Sequence, residues 1–113
     1  MIIDLNCWTG HWGTHPLPGE AGAVRASLKA AGVDRLCLSP LDGVWGHNPH
    51  LANDAVYAAA ERWADVDPVP VLDPTVATWT EELERARDGG RARLVKWLPG
   101  YGRYQLETAD ACA

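Results

Sequence analysis

Two histidines, His11 and His15, stand four residues apart just past a short apolar run, "MIIDLN", in a loop that also holds Trp8 and Trp12. A four-residue separation suits paired metal ligands on one helix face, but Gly10 and Gly13 argue against a helix there. A lysine near the other end, Lys96 in "RLVKWLP", is bracketed by apolar residues. Strand alternation puts Leu94, Lys96 and Leu98 on one side and Val95 and Trp97 on the other. Desolvation among apolar walls favours the neutral amine, which is a base, a Schiff-base nucleophile or a carbamate former. The alternatives are a lysine that snorkels outward or one that pairs with Asp73. Asp73 precedes Pro74, where an Asx-type turn accounts for it without catalysis.

These residues need elements to position them, and the chain repeats one unit of buried strand, polar loop and amphipathic helix. The first strand is read as Met1 to Asn6, followed by a helix from about Glu20 to Ala31 with Ala21, Val24, Leu28 and Ala31 on one face and Gly32 as its stop. The second strand spans Asp34 to about Ser39. Its helix opens with Asn48 as N-cap and Pro49 at the first helical position. The third strand, "VPVLDP", ends at Asp73, and Pro70 within it removes a ladder hydrogen bond. A capping box from Thr78 to Glu81 starts the next helix, with Trp79, Leu83 and Ala86 as its apolar stripe. The fourth strand is "RARLVKWLP", followed by the aromatic loop "YGRYQLET".

Strands alternating with helices in this way lie parallel. Four such units make either an open doubly wound sheet or the first half of a (β/α)8 TIM-type barrel, as one domain over residues 1–113. The loop after the first strand lacks G-x-G-x-x-G, and no P-loop is present, so neither nucleotide fingerprint applies. In both architectures reactive groups collect at the C-terminal strand ends. Those ends and their loops supply Asn6, Trp8, Trp12, Ser39, Asp42, His47, Asp73, Lys96, Tyr101 and Tyr104, a set suited to a small polar or aromatic molecule. Asn48 and His50 are read instead as the start of a helix, and Trp63 and Trp79 as core.

The 113 residues carry a formal charge of −5, and no basic stripe exists to neutralise phosphates, which argues against nucleic acid and anionic membrane. No apolar run approaches the roughly twenty residues of a membrane span. Three cysteines, Cys7, Cys37 and Cys112, cannot close into a disulfide framework. A cytoplasmic setting is the expectation.

The segments "IIDLNCWTG", "AAGVDRLCLSPLDGVWGHNPHLANDAV", "VPVLDPT" and "RLVKWLPGYGRYQL" together resemble the amidohydrolase-related ("amidohydrolase 2") hydrolases and decarboxylases. The resemblance covers nearly the whole chain, in order, and is strongest from Ala30 to Asp54. It implies the first four units of a barrel and a divalent metal, often zinc, that activates water towards a C–N or C–O bond or assists decarboxylation. It also implies two metal ligands at a first-strand His-x-His, where this chain has Asn6 and Trp8. Lys96 is the nearest counterpart of a fourth-strand lysine that some members carbamylate. The family's remaining ligands come from later strands, so the chain is expected to have a missing C-terminal half, to close the barrel as a homo-oligomer, or to fold as a small open sheet. Two functions compete: a hydrolase with Lys96 and Asp73 as catalytic groups and His11 and His15 as substitute ligands, or a metal-free ligand-binding or structural half-barrel that uses Asn6, Trp8, Trp12, His47, Tyr101 and Tyr104.

Overall fold

Parallel strands in the order of the chain form the framework of the protein in a computed structural model, which describes residues 1–11, 19–45 and 48–105. β1 (Ile3–Thr9) pairs with β2 (Arg35–Pro40), and β2 with β3 (Val66–Pro68). β4 (Val71–Leu72) pairs with β5 (Lys96–Trp97). The helices are α1 (Ala21–Ala30), the single turn α2 (Asp42–Trp45), α3 (Pro49–Arg62), α4 (Trp79–Asp88) and the short α5 (Pro99–Gly102). The α/β class with parallel strands follows the expectation. No helix among the described residues is long and apolar enough to cross a membrane.

Two prolines explain why the third strand is divided. Val69 N–H still donates to the Leu38 carbonyl of β2, but Pro40, the next residue of β2 able to pair there, has no N–H to return. On the other side Lys96 N–H donates to the Pro70 carbonyl. Pro70 cannot donate to β5 in turn, so that ladder starts only at Lys96. β3 and β4 are thus one extended segment interrupted at Val69–Pro70. It begins at Val66, earlier than "VPVLDP" suggests, and the fourth strand is shorter than expected.

Beyond Pro40 the side chain of Asn53 replaces the absent strand. Its Oδ1 accepts from Val71 N–H at 2.9 Å, and its Nδ2 donates to the Val71 carbonyl at 2.9 Å. Nδ2 also donates to Glu82 Oε1 at 2.9 Å, and the Tyr57 hydroxyl donates to the same oxygen at 3.2 Å. Asn53, Glu82 and Tyr57 are all buried. This places Glu82 on the inner face of α4, while Leu83, expected there, is 36% exposed. The expected capping box is also absent, since Thr78 makes no side-chain cap bond. The other helix starts and stops behave as their residues suggest: Asn48 Oδ1 accepts from His50 N–H at 3.0 Å, Pro49 opens α3, and Gly32 takes φ +93° after α1.

The core lies on one face of the sheet. Cys7, Leu36, Leu38 and Val66 of the strands pack with Val56 and Ala59 of α3, flanked by Ala21, Val24 and Leu28 of α1. Ala31 is the exposed C-cap and does not join them. Trp63 ends α3 with Arg25 and Arg62 over its ring. Arg25 and Lys29 of α1 both pair with Asp65, joining α1 to the turn before β3. The hydrogen bonds from Arg25 hold the Asp65 carboxyl at about 2, below its ordinary 3.8. A carboxylate with a depressed folded pKa stabilises above the unfolded value and loses that contribution as pH falls through the folded one. The stability advantage of the native chain over Asp65→Asn is therefore expected to be full above about pH 5 and to vanish near pH 2, as read from urea midpoints across that range.

Candidate functional site

A bulge in β1 determines what faces the site. Ile3 and Asp4 pair with Arg35 and Leu36, and Cys7 and Trp8 pair with Leu38 and Ser39. Leu5 and Asn6 therefore stand opposite the single residue Cys37. The Asp4 carboxylate accepts the Asn6 N–H at 2.9 Å and so satisfies a donor that the bulge takes out of the ladder. One extra residue inverts the alternation beyond it. Cys7 consequently enters the helix-side core, where burial pushes its thiol up to about 12. Asn6 and Trp8 turn to the opposite face.

Lys96 reaches both of them from β5. Its ammonium donates to Asn6 Oδ1 at 2.5 Å and lies 3.8 Å from the centroid of the Trp8 ring. In a flat sheet the first and fourth strand positions stand three spacings apart, about 14 Å, with parallel side-chain directions. The β4–β5 pair is a separate two-stranded sheet, and Lys96 reaches β1 because that pair turns towards this face beyond the break at Val69–Pro70. Alternation around Lys96 is as expected, because its neighbour Trp97 points to the helix side and meets Trp79 of α4 edge to face at 6.0 Å. Partial burial lowers the proton affinity of Lys96, opposed by the fields of Cys7, Asp4 and Cys37. The bond to Asn6 and the contact with Trp8 both favour the charged form as well. The expected alternative of pairing with Asp73 is not what the side chain does.

Beside Trp8 lies a cavity of about 290 Å³ lined by Trp8, Leu41, Val44, Leu98 and Tyr101. A smaller cleft of about 40 Å³, sharing Val44, Leu98 and Tyr101, extends to Asp73 and Tyr104. The Tyr104 hydroxyl accepts from Leu98 N–H at 2.8 Å and donates towards the Leu72 carbonyl at 3.4 Å, so it fastens the ends of β4 and β5 and presents only its ring to the cleft. Asp73 Oδ1 accepts from Thr75 N–H and Oγ1 at 2.8 and 2.6 Å, the turn anticipated for it. Asp73 N–H donates to His50 Nε2 at 3.1 Å, which makes that imidazole neutral with its hydrogen on Nδ1. Burial lowers the His50 pKa in the same direction.

Of the residues singled out in the sequence, Asn6, Trp8 and Lys96 form one cluster, and Asp73, Tyr101 and Tyr104 line the adjoining cleft. His11 is exposed at the end of the first loop's described part. Trp12, His15 and His47 lie outside the described residues. Among the described residues no group of three or more His, Cys, Asp or Glu side chains is arranged to hold a metal ion. Where the resemblance implies two metal-binding imidazoles, a ring without a lone pair and an amide oxygen face an ammonium. A divalent ion there would meet that charge at close range, so these residues do not fit a metal. The apolar walls Leu41, Val44 and Leu98 carried no signal in the sequence beyond lying near strand ends. Ser39, expected at a strand end, is fully buried beside Trp8 in the β1–β2 register, and its Oγ has no partner among the described residues. Compared with known proteins, the chain matches no family model, no curated protein and no solved structure.

Proposed function

We propose that this chain is an amidohydrolase-like half-barrel that binds a small molecule at the C-terminal ends of its strands without a metal. The observation that carries the reading is the Lys96 ammonium between Asn6 and Trp8. It supplies a fixed positive charge in the region where the related hydrolases use a metal. The sequential order of parallel strands within each of the two sheets and the turn of β4–β5 that brings Lys96 to β1 support the barrel part of the proposal. So does the face opposite the helices, where Ile3, Leu5 and Leu94 are 47%, 64% and 47% exposed. That face and the open edges of β1 and β5 suit closure by a second copy of this chain. The buried, unpaired thiols of Cys7 and Cys37 suit a reducing, cytoplasmic setting.

Elemental analysis after incubation with excess zinc or manganese and desalting tests the central point. The expected result is no retained metal. Retention near one equivalent, lost in His11→Ala or His15→Ala, would overturn it.

A second reading, hydrolysis of a C–N or C–O bond or decarboxylation, is favoured by the lowered proton affinity of Lys96. Its amine would act as base or nucleophile, with Asp73 at the adjoining cleft. That reading requires turnover that disappears in Lys96→Arg while ligand binding persists.

A further inference from the structure

We propose that the ligand is a small monocarboxylate bearing one aromatic or branched apolar group, with its carboxylate on Lys96 and its apolar group in the cavity beside Trp8. The inference rests on the metal-independent reading and adds the chemical class. Lys96 has one partner oxygen, Asn6 Oδ1, and its remaining N–H donors have none among the described residues. These donors call for an acceptor, and the ammonium makes an anion the preferred one.

The walls define the other half of the ligand. Trp8 contributes both to the ammonium contact and to the lining of the cavity, so the charged and apolar parts adjoin across one side chain. Leu98, two residues after Lys96 and just past the end of β5, lines the same cavity as Trp8. Leu41, Val44, Leu98 and Tyr101 complete a lining without an ionisable carboxylate or amine. A cavity of about 150 Å³ accepts benzene, so 290 Å³ has room for a ring with its substituent.

Benzoate is the probe, benzamide its uncharged counterpart, and isothermal titration of the full chain the measurement. Benzoate is expected to bind at least about tenfold more tightly than benzamide, a comparison that needs no variant. Lys96→Met is expected to remove that preference, and Lys96→Arg to keep a part of it. In amide spectra the shifts on adding benzoate should centre on Trp8, Leu98 and Tyr101. Equal affinity for the two probes, no binding of benzoate at millimolar concentration, or shifts centred elsewhere would overturn the proposal. Such failure in protein that retains no zinc rejects the ligand class alone. Retention of zinc rejects the metal-independent reading beneath it.

Discussion

Replacing Asn53 by Ala is expected to destabilise the protein by at least about 3 kcal/mol. Asn53 is fully buried and serves three groups at once: the N–H and carbonyl of Val71 and one oxygen of Glu82. Truncation leaves each without that partner, at about 1–3 kcal/mol apiece and more for a charged group. The carboxylate keeps the Tyr57 hydroxyl and a long contact of 3.5 Å from Arg85. Neither group can reach across to serve the strand. Urea unfolding followed by circular dichroism reads the loss as a lower midpoint at constant slope. Glu82→Gln is the informative companion, since it keeps an acceptor for Asn53 and Tyr57 and should cost less than Asn53→Ala. If Asn53→Ala shifted stability by under about 1 kcal/mol, Asn53 would not be the substitute for the missing strand.

Leu36→Ala is expected to cost about 2–5 kcal/mol by the same measurement. Leu36 is 1% exposed and sits in the cluster of Cys7, Leu38, Val56, Ala59 and Val66, where α3 packs on the centre of the sheet. Its neighbours belong to a strand with partners on both sides and to the longest helix. They cannot collapse into the space, and the cavity term adds to the transfer term. Leu51→Ala provides the contrast, because Leu51 lies on α3 but is 71% exposed, and it should change stability by under about 0.5 kcal/mol. A consequence reaches the site: Leu36 is in the strand that joins β1, carrying Asn6 and Trp8, to the segment that holds β5 and Lys96. Loosening that strand should weaken benzoate binding in proportion to the unfolded fraction and no further.

Much of this architecture was legible in residue types. Apolar runs bounded by Gly and Pro marked the strands, Asn48-Pro49 marked the start of α3, and Gly32 marked the end of α1, because each signal acts within a few residues of itself. The polar residues at strand ends could be listed for the same reason: parallel alternation fixes which end of a strand faces the loops. Alternation also separated Lys96 from Trp97 correctly. Asp73 satisfying its own turn follows from the chemistry of a short acceptor side chain next to proline.

What tertiary structure decided was the content of the site. Simple alternation from Ile3 would place Cys7 on the face of Ile3 and Leu5 and send Asn6 and Trp8 into the helix-side core. One bulged residue, held by Asp4, reverses that, and a register with a partner strand 30 residues away cannot be read from local sequence. The meeting of Lys96 with Asn6, 90 residues apart, depends on how the β4–β5 sheet turns relative to the β1–β2–β3 sheet. Asn53 and Glu82 occupy helix positions that carry no local signal of burial, and only the early end of β2 at Pro40 gives them a buried strand edge to complete. The sequence by itself determined which elements form and which residues stand at their ends, because those are local choices. Which side chains converge is a long-range outcome of register and strand placement, and it brought the ammonium of Lys96 onto Asn6 and Trp8.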